Sequence, residues 1–154
     1  MDFDFSTILS HLLHLLLAYG FALPIGFERE RDSRSAGIRT FPLVAVAACG
    51  YMIIGTTMLL GPEPQSRVMY GIITGMGFIG GGAILKNQNM VTGTATAASL
   101  WNTGAIGMAV AWKRYEIALI LSTLNFLTLR YATQLKSKVV DTKDQTSDDS
   151  IYPP

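Results

Sequence analysis

Three carboxylates lie close together near residue 30 of this chain, and carboxylate oxygens are the ligands that hard cations such as Mg²⁺ prefer. They belong to Glu28, Glu30 and Asp32, within a segment that holds seven charged residues between positions 28 and 39. The other four charges are arginines, which nearly cancel the field of the carboxylates. The segment is therefore a poor site for a bare Mg²⁺ ion, and we expect no metal there.

Two other interpretations of this charged segment, residues 28–39, remain open. Glu28 and Asp32 are four positions apart, so a helix that continued through the segment would align its polar side chains along one face as a solvated, internally paired stretch. Alternatively, the segment is a docking surface for a partner protein or for anionic lipid headgroups. The candidate contact residues are Glu28, Arg29, Glu30, Asp32, Arg39 and Thr40.

A second group of candidates lies in two helical patterns rich in small residues. Residues 75–80 formally satisfy G-x-G-x-x-G, but no strand-turn-helix unit surrounds them and no acidic residue follows about 20 positions later, as a dinucleotide site requires. Glycines in an apolar span favour close helix packing, with a broken helix lining a polar path as the alternative. The residues predicted to pack helices or line such a path are Gly75, Gly77, Gly80, Gly81, Gly82, Thr96, Trp101 and Asn102.

Nothing in the sequence argues for catalysis. It contains no Ser/His/Asp constellation, no pair of carboxylates within an apolar span and no phosphate-binding loop. His11 and His14 have no carboxylate or cysteine nearby and are interpreted as a polar face of the first helix, and Cys49 as a small packing residue. We expect no enzymatic activity and no cofactor. No basic block interleaved with aromatic residues suggests a nucleic-acid partner.

The elements that carry these residues are predicted to be transmembrane helices. Only 15% of the 154 residues are charged, and the mean hydropathy is +0.34. Charge-free or nearly charge-free stretches of spanning length occupy residues 5–27, 40–62, 68–85, 95–112 and 117–135. We therefore predict an all-α integral membrane protein, a bundle of about five transmembrane helices within residues 1–136, followed by a disordered polar tail at residues 137–154.

The distribution of Lys and Arg predicts the orientation. Nine of these residues fall on one side of the five predicted spans and three on the other. Because basic residues accumulate on the cytoplasmic side, we expect the N-terminus outside and the C-terminal tail in the cytoplasm.

Three sequence blocks resemble the MgtC/SapB family of bacterial membrane proteins. The first is Leu-Pro-Ile-Gly-Phe-Glu-Arg-Glu at 23–30 with Ala-Gly-Ile-Arg-Thr at 36–40, the second is Gly-Met-Gly-Phe-Ile-Gly-Gly-Gly-Ala-Ile at 75–84, and the third is Val-Thr-Gly-Thr-Ala-Thr-Ala-Ala-Ser-Leu-Trp at 91–101 with Ala-Ile-Gly at 105–107. They are similar to the family's blocks in order and spacing. The resemblance implies a multi-pass protein of the bacterial inner membrane, connected with magnesium limitation and, in pathogens, with survival inside host cells.

The resemblance leaves two main functions open, and a lipid- or membrane-remodelling accessory with no specific ligand is a third. The first is a non-catalytic protein that modulates another membrane system during low-Mg²⁺ or acid stress. The second is a small-ion transporter or channel for Mg²⁺ or protons, its path lined by the glycine-rich third helix and Asn102. Family members studied for virulence have a C-terminal ACT-like domain, whereas a short acidic tail follows the last predicted span here, as in shorter SapB-like members. The expected partners are membrane lipids, further copies of the chain and another membrane protein.

Overall fold

Over the residues that the structure describes, the protein forms five helices and one short β-hairpin. The computed structural model describes residues 4–32, 36–87 and 90–148, and the side chains of residues 4–31, 36–86 and 90–131. The elements in chain order are α1 (Phe5–Asp32), α2 (Thr40–Met58), α3 (Pro62–Gly82), β1 (Leu85–Asn87), β2 (Met90–Thr92), α4 (Thr94–Ala111) and α5 (Tyr115–Asp148). The predicted helical class is therefore confirmed.

The short connections give the bundle two ends with different chemistry. At the first, which we call the charged end, α1 ends at Asp32 after the charged residues Glu28–Arg31, and α2 begins at Thr40. At the opposite end, the distal end, Met58 is joined to Pro62 and Ala111 to Tyr115 by short turns. Successive helices consequently run in opposite directions, because each connection is too short to cross the bundle.

Helix α4 occupies the centre of this arrangement and contacts all four other helices. Gly107 makes its closest approach to α2: a Cβ placed there would lie 3.0 Å from the Cβ of Ala48 and 3.0 Å from the backbone nitrogen of Cys49. Around this crossing, Phe41, Leu100 and Ile106 are buried in the main apolar core. The absence of a side chain at residue 107 lets the two backbones meet, as small residues do where membrane helices cross.

Two of the described helices are long and apolar enough to cross a membrane by length and composition, over Phe5–Arg31 and Thr40–Met58. Their apolar side chains are largely exposed, as Leu12, Leu16 and Ile54 show. Over their described residues, α3, α4 and α5 do not meet this criterion of length and hydropathy. The criterion therefore identifies two of the roughly five predicted spans. The other three helices contain many Gly, Ala, Ser and Thr residues or charged ends, which lower their mean hydropathy.

The hairpin between α3 and α4 was not predicted. Leu85 pairs with Thr92, Lys86 with Val91 and Asn87 with Met90 in antiparallel register. At residues 87–94 the sequence indicated a loop leading into a helix. Strands of three residues are too short to show a two-residue periodicity, so the sequence pattern could not distinguish them from a loop.

Helix α5 continues to Asp148, past residue 136, where the membrane domain was predicted to end. The backbone is helical along this continuation, and residues 149–154 lie outside the described part. Disorder of residues 137–154 stays a prediction.

Candidate contact site at the charged end

The loop that leads into α2 is folded tightly against the end of α1. The Ile38 backbone N–H donates a hydrogen bond to Glu30 Oε2 at 3.1 Å. A Cβ on Gly26 would lie 3.0 Å from the Cα of Ile38, and a side chain on Gly37 would overlap the Glu30 carboxylate. The two glycines and Glu30 therefore act together to lock α1 to the start of α2.

The same loop also supplies the start of α2. The Gly37 carbonyl accepts hydrogen bonds from the backbone N–H groups of Thr40 at 3.0 Å and Phe41 at 3.1 Å. Arg39 occupies the N-cap position and makes no side-chain capping bond. Because the backbone does the capping, the Arg39 side chain extends into solvent, and Thr40 is half-buried.

Arg29 lies inside the bundle, which corrects its predicted place on the contact surface. The side chain is only 8% exposed, and Nη2 donates a hydrogen bond of 2.7 Å to Thr96 Oγ1 on α4. The prediction treated neighbouring charges as one surface. On a helix, however, successive residues are rotated by about 100°, so Arg29 turns toward α4 while Glu30 and Arg31 are exposed.

Glu28 is held by a charge from α5. Its Oε2 accepts a hydrogen bond from Arg130 Nη1 at 3.3 Å, and Arg31 Nη1 lies 4.0 Å away. The Glu28 side chain is mostly buried, whereas that of Arg31 is largely exposed. Glu28 therefore helps to hold α1 against α5, and most of its side chain is inaccessible to a binding partner.

Among the described side chains at the charged end, most of the exposed charges are basic. Arg31, Arg39 and Lys86 are exposed there, and Glu30 is exposed while its carboxylate accepts a hydrogen bond from the loop. Arg31 and Lys86 were not among the predicted contact residues, although their place in the basic excess of one side was a usable signal. The side chain of Asp32, a predicted contact, and residue Arg34 lie outside the described part.

The two described carboxylates of the charged segment, Glu28 and Glu30, do not converge. Glu28 points to α5 and Glu30 to the loop before α2. Across the described ranges 4–32, 36–87 and 90–148, no group of three His, Cys, Asp or Glu side chains is placed to hold a metal ion.

The glycines predicted to pack helices behave in two different ways. A Cβ on Gly80 would lie 3.2 Å from the Ala97 carbonyl oxygen, so this glycine packs directly on α4. The other four face open space within the protomer. They are Gly75, Gly77, Gly81 and Gly82.

Asn102 makes an interhelical hydrogen bond. Its Nδ2 donates to the Leu121 carbonyl at 3.2 Å, while the adjacent Trp101 is 57% exposed on the outer face of α4. Asn102 lines a groove of about 270 Å³ between α3 and α4, whereas Gly75 lines a separate apolar groove of about 530 Å³ between α2 and α3. Thr96 is engaged with Arg29 at the charged end, so the structure does not bring the proposed path residues together.

Further polar contacts between helices escaped the sequence analysis. Ser99 Oγ donates to Asn125 Oδ1 at 2.9 Å, joining α4 to α5. Ser122 Oγ donates to the Phe21 carbonyl at 2.6 Å, joining α5 to α1. Together with Asn102 they bind α5 to the rest of the bundle. An isolated serine or asparagine in an apolar helix was the only available signal.

The fold and its charged end define a class, namely a helical bundle with apolar outer faces, in which the loop before α2, carrying Gly37 and Arg39, is held against Glu30 of α1. The chain belongs to the MgtC family, whose family model matches residues 15–138. The family is membrane-associated, in accord with the two apolar helices.

Individual relatives cover most of this chain. YhiD of Escherichia coli K12 is 36% identical over 139 residues, which are 84% of this chain and 64% of YhiD. SrpB of Synechococcus elongatus is 33% identical over 75% of this chain and 70% of SrpB. MgtC of Salmonella typhimurium is 35% identical over 80% of this chain and 54% of MgtC. The chain thus spans about half to two thirds of these relatives, and no solved structure matches it.

Proposed function

We propose that this protein is a non-catalytic, multi-pass protein of the bacterial inner membrane that supports Mg²⁺ homeostasis by modulating another membrane component. The family and the name of YhiD, which assigns that relative provisionally to magnesium transport, support the link to Mg²⁺. On this proposal all five helices cross the membrane, the charged end faces the cytoplasm, and the activity serves adaptation to low Mg²⁺ or acid stress.

One observation carries the choice of a contact function. The charged segment divides into side chains that hold the fold together, such as Arg29 and Glu28, and arginines that are left exposed. Arg39 is exposed next to a loop that Glu30 and Gly37 hold rigidly. A cation fixed on a rigid loop at the membrane surface is suited to an acidic surface on a partner or to an anionic headgroup.

The test reverses this exposed charge. We expect Arg39→Glu to abolish complementation of a low-Mg²⁺ growth defect, because repulsion replaces attraction at the contact, while the amount of protein in the membrane stays unchanged. Growth of a strain lacking its own relative measures the first quantity and immunoblotting of membranes the second.

Arg67→Glu is the matched control. Arg67 is an exposed arginine on α3, paired with Glu63 at 2.8 Å at the distal end, and exposed pairs of this kind contribute little stability. It receives the same charge change on the other side of the bundle and should complement normally. Normal growth with Arg39→Glu would refute the proposed contact.

Transport of Mg²⁺ or protons is the second candidate, favoured by the name of YhiD and by the placement of Asn102 in a groove. The separation of Asn102 from Gly75 counts against it within one protomer. Purified protein in sealed liposomes loaded with a Mg²⁺- or pH-sensitive dye distinguishes the two functions. Flux that disappears with Asn102→Ala but persists with Ser122→Ala, which removes another interhelical hydrogen bond, would favour transport.

We also infer that several copies associate through the outer face of α3. Four glycines there meet nothing within the protomer, and glycine faces let membrane helices approach closely. Native mass spectrometry of the protein released from detergent measures the number of copies directly.

A further inference from the structure

A cavity of about 240 Å³ lies at the distal end, away from the charged end and from both apolar grooves. Its walls come from the N-terminal half of α1, the last turns of α2 and the turn between α4 and α5. Six of its eight lining residues carry polar side chains on an otherwise apolar surface, and these are Ser10, His11, His14, Thr56, Thr57 and Lys113. Convergent polar groups from three parts of the chain are what a small binding site requires.

Three of these side chains are already committed to internal hydrogen bonds. His14 Nδ1 lies 2.6 Å from the Ser10 carbonyl, which only accepts, so Nδ1 carries the proton and Nε2 accepts from the Tyr115 hydroxyl at 3.1 Å. The Thr57 hydroxyl donates to the Ile53 carbonyl at 2.8 Å, and the Thr56 hydroxyl donates to backbone carbonyls one turn earlier. His14 and the threonines therefore shape the cavity but have no hydrogen left to donate.

The donors that remain available are the His11 imidazole, the Lys113 ammonium and the Ser10 hydroxyl. Within the described part of the chain, none of these three groups is engaged in a hydrogen bond or an ion pair. No carboxylate lines the cavity. The nearest acidic residue along the chain, Glu116, is paired with Arg114 at 3.6 Å. The cavity consequently presents positive charge and hydrogen-bond donors without a counter-ion.

The backbone at Lys113 gives independent support for a role of its side chain. Lys113 has a φ of 59°, the left-handed conformation, and is the only non-glycine residue with positive φ in the described part. Its N–H donates to the Val110 carbonyl at 2.9 Å, and that of Arg114 donates to the Ala109 carbonyl at 2.8 Å. This is the Schellman ending of α4, and the left-handed position in it is one where glycine is usual. A lysine in this conformation carries backbone strain, and strained residues tend to occur at functional sites. A role for the Lys113 ammonium group in the cavity would explain why a lysine stands here.

We propose that this cavity binds a phosphate group, with the Lys113 ammonium and the His11 imidazole as donors. A tetrahedral oxyanion accepts several charge-assisted hydrogen bonds at once. It would therefore supply the negatively charged acceptor that the lining of the cavity lacks. Two sources can deliver such a group to the end of a membrane helix bundle, namely a lipid headgroup and free inorganic phosphate. The proposal does not depend on the contact function of the charged end.

The deciding variant is Lys113→Gly, which removes the ammonium and relieves the backbone strain together. We expect its melting temperature without ligand to equal the wild-type value or exceed it by roughly 2 °C, since glycine adopts positive φ freely. We expect its affinity for phosphate to fall by about tenfold or more, the loss of one charge-assisted hydrogen bond. Lys113→Arg, which keeps the charge, should bind nearly as well as the wild type.

Titrations of the full-length protein in detergent with three probes separate the sources. Inorganic phosphate alone tests the free ion, dihexanoyl phosphatidylglycerol tests the headgroup, and dihexanoylglycerol lacks the phosphate. Binding of either of the first two that is lost with Lys113→Gly supports the proposal and identifies the source. Arg114→Gln is the control, because it removes a neighbouring cation that does not line the cavity.

Three outcomes would overturn the proposal. The first is that neither phosphate probe binds. The second is that the glycerol lipid binds as well as its phosphate form. The third is a failure of the matched variants: either Lys113→Gly binds the phosphate probe as well as the wild type does, or Arg114→Gln weakens binding as much as Lys113→Gly does. A lower melting temperature for Lys113→Gly with unchanged binding would show that the lysine is structural.

Discussion

Two arginines on α1 that are only two positions apart in sequence point in different directions, because successive residues of a helix are rotated about its axis. Arg29 is buried and bonded to Thr96, while Arg31 two positions later is exposed. A buried guanidinium fixes the position of α4 against α1 more specifically than apolar contacts do, because its hydrogen bonds demand one geometry. Part of the charged segment therefore stabilises the packing of α1 against α4 and does not face solvent.

At this scale we predict that Arg29→Met destabilises the protein by about 1.5–3 kcal/mol, the contribution of a hydrogen bond to a charged group. Thr96→Val should cost a similar amount, and the double variant should cost less than the sum, since both remove the same bond. Midpoints of unfolding in mild detergent, followed by circular dichroism, give the coupling.

Arg31→Ala serves as the control for this prediction, because its side chain is exposed and its change should stay within about 0.5 kcal/mol. Equal stability of Arg29→Met and Arg31→Ala would contradict the structural role of Arg29. Strict additivity of the two core changes would contradict a direct bond to Thr96.

Among the elements, α4 sets the geometry of the others through its small residues. Gly107 meets the backbone of α2 and Gly104 meets Met76 on α3, so each face of α4 is shaped for a different neighbour. The exposed Trp101 shows that another side of α4 remains uncovered within the protomer.

We predict that Gly107→Ala lowers stability by about 1–3 kcal/mol, because the added methyl forces α2 and α4 apart in a packed interior. Gly20→Ala on α1 is the matched control, since nothing lies within 4 Å of its added Cβ. It should be neutral or stabilising by up to about 1 kcal/mol through helix propensity alone. Chemical or thermal unfolding of the two variants measures the difference, and equal values would refute the close crossing.

The positions of the helices followed from the sequence far better than the directions of their side chains. The fourth helix was expected at about Ala95–Trp112 and is found at Thr94–Ala111, because freedom from charge marks its length. That Arg29 points inward depends on the placement of Thr96, 67 positions away, which no local pattern encodes. The first span was expected at residues 5–27, yet α1 continues to Asp32, and near its end Glu28 bonds to α5 and Glu30 to the loop before α2.

The whole molecule carries its charges at two ends, and their composition differs. At the distal end Glu63 pairs with Arg67 and Glu116 with Arg114, whereas the charged end leaves Arg31, Arg39 and Lys86 exposed. If all five helices span the membrane, this difference orients the protein with the charged end in the cytoplasm.

Labelling of introduced cysteines tests the orientation. In a Cys49→Ala background, Ser66→Cys in intact spheroplasts should react with a membrane-impermeant maleimide, since Ser66 is exposed at the distal end. Lys86→Cys, exposed on the hairpin, should react only after the membrane is permeabilised. The reverse pattern would invert the orientation, and reaction of both in intact spheroplasts would refute the alternating arrangement of the helices.

The central place of α4 has a consequence for biosynthesis. The helix on which all the others pack is the fourth to emerge from the ribosome. Until it arrives, the guanidinium of Arg29 has no hydroxyl from Thr96, and the surface of α2 that Gly107 will cover is open. If all five helices span the membrane, the first three therefore enter it as an unfinished assembly, and the bundle is completed only after α4 has been made.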